Sequence, residues 1–129
     1  MAFTHSIGVT YKTDEGTIAN TLDSFTGDAE QGLDVTIPAS STIRENVQVY
    51  QSEIVSFCLW SKLALTVGLY KNNSLVQTIS LGANKQLNWD NGLANSNPIT
   101  ADFDSVHLTN PSITTATAFK ARFLLNAGS

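Results

Sequence analysis

Leu63-Ala64-Leu65-Thr66-Val67-Gly68-Leu69-Tyr70-Lys71-Asn72-Asn73-Ser74, continuing to Leu81, is the stretch that decides the fold. Leu63, Leu65, Val67 and Leu69 alternate with small or polar residues, and a period of two puts them on one face of a strand. Asparagine tolerates the positive φ that a tight hairpin demands, so Asn72-Asn73 turns the chain back into a second strand. Residues 63–81 are predicted as a β-hairpin. The glycosylation sequon Asn72-Asn73-Ser74 is then simply its turn.

The alternation extends in both directions. Toward the N-terminus, Ile7, Val9 and Tyr11 share a side, Asp14-Glu15-Gly16 forms a polar turn into Thr17 to Phe25, and Val35 and Ile37 mark a strand that Pro38 stops, having no N–H to give to a ladder. Val47 and Val49 mark the next. The run Ile54-Val55-Ser56-Phe57-Cys58-Leu59-Trp60 is predicted as a buried strand, with Cys58 and Trp60 in the core. Toward the C-terminus, Gly82-Ala83-Asn84 leads into the short strand Lys85 to Trp89. The stretch Asp90 to Pro98 is dense in loop formers. Phe103 to Thr109 places Val106 and Leu108 on one face, Asn110-Pro111-Ser112 breaks it, and Thr117 to Leu125 places Phe119, Ala121, Phe123 and Leu125 together. No window shows a helical period, and the segments are filled by β-branched and aromatic residues. The expectation is an all-β protein: one antiparallel β-sandwich domain over residues 1–129, with roughly eight to ten strands and a jelly roll as leading topology. Residues 1–6 are expected to form an N-terminal arm.

Composition narrows the function. Hydrophobic residues make up 42% of the 129 and charged residues 14%, against roughly 25% charged in most soluble proteins. Thr, Ser and Asn replace Lys and Glu, and a surface poor in charge is covered at little desolvation cost, which suits a domain that packs against neighbours. The net charge of -4 and seven scattered Lys and Arg argue against nucleic acid. The start carries neither the basic nor the apolar part of a signal peptide, and no stretch approaches a membrane span, so no membrane partner is expected and synthesis is placed in a cytoplasm.

Catalytic and cofactor chemistry is not legible. With two histidines and one cysteine, neither a zinc spacing nor an intrachain disulfide can be built. Ser105 and His107 share a strand face but stand about 7 Å apart at the base, too far for a nucleophile and its base. His107 is read as a solvent-facing residue opposite Val106 and Leu108. Asp102 with Asp104, and Asp28, Glu30 and Asp34, offer carboxylates without an EF-hand pattern. No catalytic residue, metal or cofactor is predicted. Trp89, at the edge of the Asp90-Asn91-Gly92 loop, is the aromatic residue that could stand in a ligand groove, although a structural role is favoured.

The order of segments resembles a loose family of tailed-phage virion proteins. The resemblance rests on Thr26-Gly27-Asp28-Ala29-Glu30 before Leu33-Asp34-Val35-Thr36-Ile37-Pro38, then Ile79-Ser80-Leu81, Leu87-Asn88-Trp89, Asn97-Pro98-Ile99-Thr100, Asp104 to Asn110, and the closing Arg122-Phe123-Leu124-Leu125. It implies a capsid decoration, or cement, protein: a homotrimer on the outer surface of the virion that binds the major capsid protein and stabilises the shell. It also implies that Trp89 and the Gly27 turn are framework. The alternative is a carbohydrate- or receptor-binding β-sandwich of a phage tail or fibre. Loops carry contacts on a rigid β scaffold, so the protein-contact candidates are Asn72 and Asn73 in one loop, and Asp90, Asn91, Asn95 and Asn97 in another. Phe3 and His5 in the arm complete the set.

Overall fold

The computed structural model describes residues 2–14, 16–92 and 96–126, and over these the chain is an all-β sandwich. Ten strands follow one another: β1 (Phe3–Thr13), β2 (Gly16–Gly27), β3 (Ala29–Ile37), β4 (Thr42–Val49), β5 (Ile54–Ser61), β6 (Leu65–Lys71), β7 (Ser74–Leu81), β8 (Lys85–Asp90), β9 (Phe103–Thr109) and β10 (Thr117–Leu125). A 3₁₀ turn, Gln51–Glu53, precedes β5. The decisive stretch forms the predicted hairpin of β6 and β7. Its turn residues Asn72 and Asn73 have φ of 52° and 64°, the paired positive values of a two-residue turn whose twist matches the strands.

Two four-stranded sheets make the sandwich, in the orders β3-β10-β5-β8 and β4-β9-β6-β7, all neighbours antiparallel. The pairs β3·β10, β4·β9, β5·β8 and β6·β7 are successive rungs of one long antiparallel ribbon closed at the β6–β7 turn. Rungs fall alternately in one sheet and the other, so the ribbon wraps around its own apolar face. Phe57, Leu59, Phe119 and Phe123 of the first sheet meet Val67, Leu69, Phe103 and Leu108 of the second, all of them buried. At the far end from the β6–β7 turn, Asn110 is 1% exposed. Its amide nitrogen donates to the carbonyls of Ile37, Pro38 and Thr115, and its Oδ1 accepts from the Ser112 N–H.

The remaining strands, β1 and β2, form a separate two-stranded sheet, paired from Phe3 with Gly27 to Thr13 with Gly16. Phe3 to Ser6, expected as a free arm, are therefore the first paired residues of a long hairpin. It touches the sandwich mainly through β5 and β10. Leu124 shows where. It alternates with Phe123 and Leu125, pointing away from the core and standing outside the core cluster, yet it is 0% exposed. The Gly27 backbone lies on it: a Cβ at Gly27 would come 3.0 Å from Leu124 and 2.4 Å from the Leu125 carbonyl oxygen. Ser56, the cross-strand partner of Leu124, is sealed too.

One expectation is corrected. Cys58 and Trp60 are not core residues. Phe57 and Leu59 face inward, so the pleat of β5 sends Cys58 and Trp60 to the outer face, where both are only partly buried. The run reads as continuously apolar because both faces of β5 carry apolar groups, the outer one lying partly under the N-terminal hairpin.

Candidate functional site

The outer face of the β3-β10-β5-β8 sheet is the candidate site. Two rungs cross it. Asp34, Lys120, Trp60 and Gln86 lie in one, and Gly32, Arg122, Cys58 and Asn88 in the next. The third rung, Glu30, Leu124 and Ser56, borders the hairpin. Small Cys58 between long neighbours leaves a depression of about 340 Å³ lined by Cys58, Trp60, Gln86, Lys120, Ala121 and Arg122. A second, of about 370 Å³, runs under the hairpin, where His5, Ser6 and Ile7 face Ser56, Cys58 and Arg122. The two share Cys58 and Arg122 and so form one trough, with Trp60 at one end and the hairpin at the other.

Its side chains are held in place. The Trp60 indole N–H donates to Asn84 Oδ1 at 3.1 Å. Asn84 is itself fixed at a turn position with φ 53° by its N–H on the Ser61 carbonyl. Arg122 Nη1 donates to the carbonyls of Leu33 at 2.9 Å and Ala121 at 2.7 Å, lying over Gly32, where a Cβ would come 3.1 Å from Arg122 Cδ and 3.2 Å from Nη1. Asn88 donates to Gln86 Oε1 at 3.1 Å. His5 Nε2 and Glu30 Oε2 stand 2.6 Å apart and tie the hairpin to β3. Burial pushes the Cys58 thiol above its usual range, with Arg122 opposing, so the thiol is protonated and weakly nucleophilic at neutral pH.

Phe3 lies in the hairpin, and the other predicted residues that are described sit in the β6–β7 turn and at or after the end of β8, where most have structural work. Phe3 pairs with Gly27 at the base of the hairpin. Asn72 and Asn73 are exposed in their turn, where the Asn72 N–H donates to Asp104 and Asn73 Oδ1 accepts from Arg44. Asp90 is 7% exposed, and its carboxylate accepts from the Gly92 N–H and so holds the turn. Asn91 is exposed; its N–H bonds the Val55 carbonyl. Asn97 Oδ1 accepts from Ile99, and Gln77 clamps Pro98 and Thr100, so that half of the loop is pinned against β7. Asn95 lies outside the described residues. Trp89 packs against the core with its ring centroid 6.4 Å from that of Phe57. The pair Asp102 and Asp104 accepts backbone N–H bonds from Gln51 and Asn72. Among the described residues no three His, Cys, Asp or Glu gather as a metal site.

His107 lies on the outer face of the second sheet, opposite Val106 and Leu108 as expected, but it is partly covered: the Tyr70 ring stacks on it at 3.7 Å. Burial, and then the charge of Arg44 beside it, lower its pKa from 6.5. Between that lowered value and 6.5 the unfolded chain binds the proton better, so His107 favours folding above about pH 6.5 and loses that contribution as pH falls through the folded value. An NMR titration of the imidazole should give a midpoint below 6.5, and Tyr70→Ala should move it upward; a midpoint above 6.5 would contradict this placement.

Trp60 and Arg122 are the residues that sequence reading missed. The signal was present in the period: in β5 the even positions oppose Phe57 and Leu59, and in β10 Lys120 and Arg122 fall on the face away from Phe119 and Phe123. No protein-family model and no curated protein matches the chain. A solved chain from Bacillus endospore appendages, described as a novel family of disulfide-linked pili, is similar at 15% identity over 76% of this chain and 87% of that chain, with a TM-score of 0.42. So distant a likeness carries no argument about function.

Proposed function

We propose that the chain is a structural subunit of a tailed-phage virion, a decoration protein that assembles as a homotrimer on the outside of the capsid and contacts the major capsid protein. The observation that carries this reading is the hairpin of β1 and β2. A two-stranded ribbon is at best marginally stable in water, and this one has strands of 11 and 12 residues whose contacts with the sandwich run mainly through β5 and β10, with the His5–Glu30 pair reaching β3. Its two outer edges leave backbone groups for further pairing. A neighbouring subunit supplies what the ribbon lacks. The low-charge exterior suits wide neutral contacts, and several such contacts engaged together hold more firmly than any one. The wrapped-ribbon strand order agrees with a jelly roll, an architecture common among capsid proteins, and supports the finer fold reading as well.

The test is to open the outer half of the ribbon and leave its base. Thr10 and Asn20 are cross-strand partners, and proline at both removes two backbone N–H groups and disfavours the paired strands. In sedimentation velocity the native chain should run as a trimer, and the Thr10→Pro/Asn20→Pro chain as a monomer with a melting temperature within about 3 °C of the native value. A native chain that stays monomeric at every concentration, or a proline variant that stays trimeric, would refute the role given to the ribbon.

A further inference from the structure

We propose that the trough on the outer face of the β3-β10-β5-β8 sheet binds an acidic sugar, a hexopyranose unit bearing a carboxylate. Trp60 supplies an apolar plane for the C–H face of a pyranose ring, and its indole is already oriented by Asn84. Beside it on β10, Lys120 and Arg122 point the same way about 7 Å apart. The ion pairs among the described residues are His5 with Glu30 and Lys71 with Asp102, so neither Lys120 nor Arg122 is committed to a carboxylate of its own chain. The guanidinium, pinned on the Leu33 and Ala121 carbonyls, is set to hold a carboxylate with little further loss of side-chain freedom. Gln86 and Asn88, bonded to each other on the opposite wall, bring amide donors and acceptors for ring hydroxyls. Two depressions of about 340 and 370 Å³ fall within the usual size of small-ligand sites, roughly 300 to 1,000 Å³.

Other occupants fit less well. A peptide recognised as an added strand needs a free sheet edge, but the floor of the trough is β5 and β10, both paired on two sides. A nucleic acid needs a run of cations, whereas Glu30 and Asp34 share this face. Side-chain recognition of a compact anion over an aromatic plane remains, and that is the chemistry of an acidic sugar.

The experiment is an NMR titration of the full chain with D-glucuronic acid, with D-glucose as the neutral control, following the Trp60 and Trp89 indole N–H peaks. Cys58 alkylation at pH 9 gives a second readout, since an occupied trough covers the thiol. Expected are saturable shifts of Trp60 with Trp89 unmoved, slower alkylation with glucuronic acid, and at least about tenfold weaker binding of glucose, the loss of one charge-assisted contact. Lys120→Glu, an exposed change, should weaken glucuronic acid about tenfold or more and leave glucose unaffected. Equal binding of the two sugars, a Trp60 peak that glucuronic acid does not move, or a Trp60→Ala chain that dissociates in sedimentation while glucuronic acid leaves the native chain unchanged would overturn the proposal. The last result would assign the trough to a second copy of this chain.

Discussion

Phe123→Ala should lower the free energy of unfolding by about 3–5 kcal/mol. Phe123 is 2% exposed in β10, a strand flanked by β3 and β5. Its ring lies 6.0 Å from Phe57 in the same sheet and 5.7 Å, edge to face, from Phe103 in the other. Phe57 in turn meets Trp89, so one ring joins the two sheets and removing it leaves a cavity among large neighbours that cannot all collapse inward. The dispersion contacts of an edge-to-face pair go with it. Because small domains hold a total of about 5–15 kcal/mol, a loss of this size is a large part of the stability. Urea unfolding should show the midpoint falling with an unchanged slope. Phe123→Leu, which restores much of the volume, should cost less than half as much. A loss for Phe123→Ala below about 1 kcal/mol would mean that the two sheets are not packed through this ring.

The second large effect is polar. Asn110→Ala should cost about 2–4 kcal/mol, because one buried side chain satisfies carbonyls on two separate connections. Ile37 and Pro38 lie where β3 passes toward β4, and Thr115 lies where β9 passes toward β10; the Asn110 amide donates to all three. The Asn110 N–H also donates to Ser41, and that bond survives the substitution. The truncation therefore removes the side-chain bridge alone and takes this donor from the Ile37 carbonyl, whose contact is the buried one of the three. Amide hydrogen exchange should rise at Ser112, whose N–H loses its acceptor Asn110 Oδ1, while the β6–β7 end stays protected. Uniform loss of protection would point instead to a global role for this residue.

Most elements were legible because each strand is bounded by a residue with a local reason to end it. Pro38 ends β3, Asn72-Asn73 turns β6 into β7, and Gly82-Ala83-Asn84 turns β7 into β8, with Asn84 at φ 53°. Phe119, Ala121, Phe123 and Leu125 face the core as their spacing requires. Two things were not legible. Facing in β5 was misread because Cys58 and Trp60 are apolar enough to pass for core, and only the pairing with Lys120, Arg122, Gln86 and Asn88 reveals the outer side. The hairpin was misjudged for a related reason: periodicity gave two strands with a polar turn, but nothing in the period says that they pair with each other alone. Pairing partners are long-range facts, and a strand's own pattern does not carry them. In the loop after β8, the polar residues chosen as contact candidates also have a local role. Asn and Asp favour turns because their side chains bond nearby backbone, and at Asp90 and Asn97 that local bonding uses the carboxylate and the amide oxygen.

The proposed capsid role requires the ribbon of β1 and β2 to complete itself on neighbouring subunits at a capsid surface. Electron cryomicroscopy of undecorated, expanded tailed-phage capsids saturated with the purified chain tests it directly. Trimeric density is expected at fixed sites on the outer shell, with the Phe3–Gly27 ribbon lying against an adjacent chain. Capsids that remain bare, or bound density in which the ribbon touches only its own sandwich, would contradict it.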